Sequence, residues 1–123
     1  MNENCRNFVL KLSSLAAPLE ETYREALDEW QPDDPPATIV FADVGQRVAD
    51  IVETLDPATS EALFLLIEEG MLSGDEELDR AVATGLVEAI VGRAASLGTW
   101  DSMRAHLGKL SRNHADWWYS GRP

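Results

Sequence analysis

Apolar residues recur at every third or fourth position along almost the whole chain, and this spacing is typical of helices that bury one face. The pattern is clearest in one series of six: Phe41, Val44, Val48, Ile51, Val52 and Leu55. No pair of segments shows the alternation of apolar and polar residues that two pairing strands would need. We therefore expect an all-α protein.

Helix boundaries are predicted from residues that start or stop helices. The first apolar stripe begins at Cys5 and ends before Pro18, and the second runs from Leu19 to Trp30. The segment QPDDPPAT, residues 31–38, contains three prolines and predicts an acidic loop. Asp56 followed by Pro57 predicts the start of a fourth helix. Later starts are predicted at Ser73 (a capping box with Glu76), Thr99 and Ser111, and stops at Gly98 and Gly108.

These boundaries predict a compact all-α bundle of six or seven helices in one domain, residues 1–123, with stacked antiparallel helical hairpins as one possible arrangement. Residues Ala62 to Ile67 are apolar on nearly all sides of a helix, which predicts a central buried helix. Gly85 lies inside the fifth helix, where glycine is costly, and predicts a close crossing with a neighbour.

The charge of the chain excludes some classes of partner. The net charge is −12, and residues 20–79 carry 18 carboxylates against only Arg24 and Arg47. Such a polyanion repels nucleic acid and anionic membrane surfaces, and it attracts cationic proteins. Because no apolar run is long enough to span a bilayer and no signal peptide is evident, we expect a cytoplasmic protein.

Residues suited to catalysis or metal binding are sparse. His106 and His114 are separated by the helix breaker Gly108 and lie in no motif with the spacing of metal ligands. Cys5 lies on an apolar stripe with Phe8 and is interpreted as a small core residue. The sequence therefore predicts no enzyme, no cofactor and no metal.

A protein-binding surface is the remaining functional interpretation. Candidate residues are acids and aromatic side chains: Trp30, Asp33, Asp34, Glu68, Glu69, Asp75, Glu76, Glu77 and Trp117. Acids such as Asp28 and Glu29 belong to the same hypothesis. For most single acids the simpler interpretation is a solvated helix face. For the cluster of Trp117 and Trp118, an aromatic lid on the bundle and an exposed interface anchor are both open.

Two stretches resemble a family of small bacterial helical proteins of unassigned activity. They are IEEGMLSGDEELDRAVATGLVEAIVG, residues 67–92, and LGKLSRNHADWW, residues 107–118. The matching positions are Gly74, Asp75, Glu88, Leu107, Gly108, Ser111, Arg112 and Trp117 or Trp118. In type, the chain is also similar to the immunity proteins of polymorphic toxin systems. That likeness implies a toxin domain as the partner.

The leading hypothesis is thus an acidic immunity protein that neutralises a basic toxin. The alternatives are a helical adapter or regulatory subunit and a self-associating protein, with a homodimer as one form. We also expect Glu88 and Arg112 to form a buried pair that holds the last helix to the fifth.

Overall fold

The computed structural model describes residues 1–121, which are helical over most of their length and contain no strand. The α-helices are α1 (Glu3–Ser13), α2 (Ala17–Trp30), α3 (Ala37–Ile51), α4 (Pro57–Met71), α5 (Glu76–Arg80), α6 (Glu88–Leu97), α7 (Trp100–His106) and α8 (Lys109–Ser120). A 3₁₀ turn, Val52–Thr54, extends α3, and a π-helical segment, Ala81–Val87, joins α5 to α6. Helix α5, the π-helical segment and α6 form one continuous helix, which we call the rod. With the rod counted once, the described residues contain seven helices. The predicted all-α bundle is confirmed.

Short polar side chains cap the N-termini of three of these helices, α1, α4 and α5. The Asn2 side chain accepts a hydrogen bond from the Cys5 amide, and the Asp56 carboxylate accepts one from the Thr59 amide, each at 2.8 Å. These bonds satisfy amide groups that have no partner within the helix. Asp56 with Pro57 was predicted from the sequence, and that helix start is confirmed.

The start of α5 differs from the prediction. Asp75, not Ser73, is the N-cap, and its carboxylate accepts a hydrogen bond from the Leu78 amide at 2.9 Å. Ser73 instead bonds to Asp79 and to the Asp75 amide. The predicted capping box is wrong because the chain needs two further residues to turn at Gly74, which has a φ of 76°. Gly98, with a φ of 75°, ends α6 as predicted.

Helix α3 occupies the centre of the bundle. It packs against α2 on one side and against the π-helical segment and α6 on the other. Its buried residues include Val40, Phe41, Val44 and Val48. The close approach depends on glycine, because a Cβ on Gly45 would lie 2.5 Å from the Leu86 carbonyl oxygen. A Cβ on Gly85 would lie 2.9 Å from the Thr38 oxygen, so the predicted tight crossing is confirmed.

Helix α4 is not the central helix that its sequence predicts. Leu63, Phe64, Leu66 and Ile67 are buried, but Leu65 is 59% exposed. The apolar surface of α4 is wider than the core that it meets, so one leucine is left at the surface. Among residues 1–121, no helix combines the length and apolar character that crossing a bilayer requires.

Candidate protein-binding surfaces

Three of the predicted binding acids surround the first residues of the chain. Asp34 forms an ion pair with the amino group of Met1. The Asn2 backbone N–H donates to Glu77 at 2.6 Å, and its side-chain amide donates to Asp75 at 3.0 Å. These donors hold the pKa of each of the three carboxyl groups below its ordinary value. Asp34, Asp75 and Glu77 therefore fasten α1 to the rest of the bundle.

Cys5 lies beside this cluster and is fully buried. Burial, together with a hydrogen bond to the carboxylate of Glu77, raises the pKa of its thiol to about 12. A thiol with this pKa is protonated at neutral pH and is a poor nucleophile. The interpretation of Cys5 as a core residue is confirmed.

Glu68, a fourth predicted binding acid, caps a different helix. Its two carboxylate oxygens accept hydrogen bonds from the backbone amides of Leu110 and Ser111, at 2.7 and 2.9 Å. The prediction that Ser111 starts the last helix is wrong, since α8 begins at Lys109 and Glu68 supplies its cap. Gly108 makes room for this carboxylate, because a Cβ there would lie 2.3 Å from the Glu68 Cγ.

Thr99, the other predicted cap, makes no side-chain hydrogen bond to the amides of α7. Its hydroxyl instead reaches back to the Ala94 carbonyl, at 3.4 Å. The predicted start is confirmed, since α7 begins at Trp100 with Thr99 as its N-cap, but the turn after Gly98 points the Thr99 side chain toward the preceding helix.

The expected pair between Glu88 and Arg112 does not form. Glu88 contacts His114 instead, with 2.9 Å between the carboxylate and Nε2. Arg112 lies in the first turn of α8, from which its guanidinium donates to the Leu107 carbonyl at 2.6 Å. Arg112 and His114 are two residues apart and therefore point to nearly opposite sides of α8, and His114 is the one that faces α6.

The two adjacent tryptophans have different environments. Trp118 is partly buried against the core, whereas Trp117 is 65% exposed. The Trp117 ring contacts the His114 ring at a centroid distance of 5.6 Å, and Tyr119 contacts Trp100 at 5.3 Å. The structure thus places Trp118 as part of the lid and leaves Trp117 available to a partner.

The remaining predicted residues lie on exposed helix surface or beside it. Glu69 is exposed on α4, and Glu76 forms an exposed pair with Arg80 at 3.0 Å. Trp30 is half-buried at the end of α2, and Asp33 is exposed in the following loop. The nine candidates therefore fall into separate groups around α1, along α4 and α5, on α8, and at the end of α2.

Helix α2 presents a row of acids that we call the α2 acidic stripe: Glu21, Glu25, Asp28 and Glu29. All four are exposed, and none forms an ion pair with another of residues 1–121. Burial, and secondarily the charge of Glu29, raises the pKa of the neighbouring Asp43. Asp33 follows the stripe in the loop after α2, where its amide donates a hydrogen bond to the Trp30 carbonyl at 2.7 Å. Sequence reasoning included Asp28 and Glu29 but did not recognise the row, although their helical spacing could have revealed it.

A groove lies between α4 and α7, with a volume of about 550 Å³. We call it the α4–α7 groove. Its apolar surface comes from Val52, Leu55, Phe64 and Leu65, and its polar rim from Glu53, Glu61 and His106. The His106 ring stacks on Phe64 with centroids 5.3 Å apart, and its Nε2 lies 3.6 Å from a Glu53 oxygen. The sequence offered no signal for this groove, because it forms only when α7 folds back beside α4.

Within the described part of the chain, no group of three or more His, Cys, Asp or Glu side chains is arranged to hold a metal ion. Acids and apolar side chains at a groove can instead bind a chain that offers cations and an apolar anchor.

Comparison with known proteins identifies a family of unknown function. The family model described as "Domain of unknown function (DUF7674)" matches residues 11–122. This agrees with the expected resemblance to a family of unassigned activity. No curated protein and no solved structure matches the chain.

Proposed function

The chain belongs to the DUF7674 family, and from its surfaces we propose that it is a non-enzymatic protein that binds a basic protein partner. In the more specific form of this proposal, it is a bacterial immunity protein that acts in the cytoplasm and neutralises a basic toxin domain. The α2 acidic stripe is the observation that carries the proposal.

The acids of the stripe repel one another in the free protein, and the single Arg24, three residues after Glu21 and four before Asp28, offsets this only in part. Glu21, Glu25 and Glu29 are spaced at i, i+4 and i+8 along α2, and like charges four residues apart destabilise a helix by roughly 0.2–0.5 kcal/mol per pair. Solubility does not require such a row, since the chain already has a net charge of −12. A cationic partner would convert this repulsion into attraction, which accounts for a surface that the fold itself does not use.

An acidic helix also suits a toxin that acts on nucleic acid. Such an enzyme needs cations to hold phosphate groups. A row of carboxylates on a rigid helix would occupy those cations and would speed association through long-range attraction. Trp30 and Asp33 at the end of the stripe would extend the contact.

The proposal is tested by affinity capture with the Glu21→Gln/Glu25→Gln double variant. The tagged full chain is incubated with lysate and culture fluid of the source organism at 50 mM and 500 mM NaCl. We expect the wild type to retain one basic protein at low salt and to release it at high salt. The double variant should retain at least about tenfold less of it, because two of the four charges of the stripe are lost.

A matched control changes the total charge equally at other places. Glu3→Gln/Asp101→Asn removes two exposed acids from α1 and α7 and should retain the partner almost as well as the wild type. Equal losses in both variants would mean that only total charge matters. A partner that is neutral, or one that survives 500 mM NaCl in all variants, would contradict the proposal.

Self-association is a second candidate function, because α8 leaves Trp117 and Tyr119 largely exposed. Exposed aromatic side chains of this size are typical of an interface. Light scattering on the wild type and on Trp117→Ser distinguishes this case: a dimer that becomes monomeric in the variant would favour a homo-oligomer over a dedicated partner.

A further inference from the structure

We propose that the α4–α7 groove binds a short segment of a partner protein, in which a leucine- or phenylalanine-sized side chain lies next to an arginine or lysine. The inference rests on the proposed function only for the basic character of the partner. It adds a second contact, separate from the α2 acidic stripe, that recognises a particular local sequence.

The apolar part of the groove is suited to hold one anchoring side chain. Its volume of about 550 Å³ lies within the range of sites that enclose small ligands. Phe64 forms a mostly buried wall that the stacked His106 ring keeps in place, and Leu65 projects beside it at 59% exposure. An anchor seated here would remove the exposed part of Leu65 from water, which favours binding.

The rim determines the charge of the occupant. Glu53, Glu61 and Glu68 line the groove, and no lysine or arginine among residues 1–121 does. Glu68 already binds the amides of α8, whereas the Glu61 carboxylate forms neither an ion pair nor a hydrogen bond with any of residues 1–121. Glu61 therefore has its carboxylate free for a cation.

The carboxylate of Glu53 is also positioned to bind a cation. Its carboxylate accepts a hydrogen bond from the Ser102 hydroxyl at 2.8 Å and lies near His106. A cation on the bound segment would meet a carboxylate that is already oriented, so little side-chain freedom would be lost on binding. An acidic segment would meet the like charges of the rim and would be repelled. Charge and shape together select a segment that is both basic and apolar.

The test is selection of a phage-displayed library of random 12-residue peptides on the immobilised full chain. Peptides are first depleted on the Leu65→Ser variant, so that only those dependent on the groove are kept. We expect the enriched peptides to place arginine or lysine within two residues of a large apolar side chain. Leu65→Ser should weaken a selected synthetic peptide about tenfold, as expected for an anchor contact, and Glu61→Gln about threefold.

Leu10→Ser is the matched control, because Leu10 on α1 is also 59% exposed and lies outside the groove. This variant should bind the selected peptides as the wild type does, and thermal unfolding should show that all three variants fold. No enrichment, enrichment of neutral or acidic peptides, or equal losses in Leu10→Ser and Leu65→Ser would overturn the proposal. A wild-type dimer that Leu65→Ser dissociates would also overturn it, since the groove would then bind a second copy.

The two proposals can fail separately. The groove variants could lose the peptides while the stripe variant still retains the captured partner. In that case the inference about the groove stands, and the proposed role of the α2 acidic stripe is wrong. If the stripe variant loses the partner while groove variants bind peptides normally, the proposed function stands alone.

Discussion

The carboxylate of Glu68 performs for α8 the task that an N-cap residue performs for most helices. Gly108, the residue before α8, has no side chain that could accept a hydrogen bond. Glu68 reaches from α4 and accepts from two of the free amides, so its negative charge also lies at the positive end of the helix. One side chain thereby joins two helices and starts one of them.

Replacing Glu68 by alanine should therefore destabilise the protein. We expect Glu68→Ala to lower the free energy of unfolding by about 1–2 kcal/mol, the range for loss of an N-cap, and Glu68→Gln to lower it less because an amide oxygen still accepts. Urea denaturation followed by circular dichroism measures the change. The neighbouring Glu69→Ala is the control and should stay within about 0.5 kcal/mol of the wild type, as at most surface positions. A loss in Glu69→Ala as large as in Glu68→Ala would show that the amide bonds are not responsible.

Such a role could not be predicted from the sequence. A local cap is recognisable because the side chain lies within three residues of the amides that it binds, as in Asp56 and Thr59. Glu68 lies 42 residues before Leu110, so its role depends on how two helices pack. In sequence, it is one acid of many, and it was predicted to bind a partner for that reason.

The crossing of α3 with the π-helical segment is a close contact between two helix backbones. Gly45 brings the backbone of α3 against the Leu86 carbonyl, and Gly85 brings the other backbone against Thr38 and Phe41. Since backbone atoms rather than flexible side chains fill the space, the two helices would have to separate to admit a methyl group.

Gly45→Ala should thus cost about 2 kcal/mol or more, the usual cost of overpacking a rigid core. Gly92→Ala in α6 is the control, because the nearest atom to an added Cβ is on the Trp118 ring at 3.8 Å, an ordinary contact. The control should gain up to about 1 kcal/mol, since alanine favours a helix more than glycine does. Thermal unfolding of both variants decides the matter, and a stabilised Gly45→Ala would refute the account of the crossing.

The sequence predicted the individual helices better than it predicted which helices pack against each other. The apolar spacing and the signals at Asp56 and Gly98 depend on nearby residues, and the structure agrees with them. The central position of α3, the exposure of Leu65 and the α4–α7 groove depend on which helices meet. The periodicity within a helix identifies its apolar face but not the element that covers it, so these features required the fold.

Across the whole molecule, acidic groups both weaken and stabilise the fold. Repulsion within a net charge of −12 opposes folding and is reduced by salt. The carboxyl groups of Asp56, Asp75 and Glu77 act in the opposite direction, since hydrogen bonds from the Thr59 amide and from Asn2 hold their pKa values down.

These lowered pKa values predict a sharp acid limit. In the unfolded chain the groups titrate near 3.8 for aspartate and 4.5 for glutamate. Their stabilisation is present above those values and is lost as pH falls through the lower pKa of the folded state. We expect the melting temperature to hold or to rise slightly from pH 7 to pH 5, as repulsion declines, and to fall steeply below about pH 4.

Circular dichroism melts from pH 7 to pH 2.5 measure this profile. The Asp56→Asn/Asp75→Asn variant keeps neutral caps and should show a shallower fall at acid pH than the wild type. Identical slopes would show that other groups set the acid limit. At neutral pH, addition of 0.5 M NaCl should raise the melting temperature of both proteins.

The π-helical segment has a consequence for insertions and deletions. In this segment each turn holds more residues than in an α-helix, so the segment accommodates extra chain without breaking the rod. Deleting one residue between Ala81 and Val87 would let the rod close into regular α-helix, and the residues after it would keep their faces. Glu88 would stay opposite His114, and α6 would still pack against α3. The same deletion within a regular helix such as α3 would instead turn every later residue of that helix by about 100°. The segment is therefore a place where the chain can lose one residue without a change in the register of the last three helices.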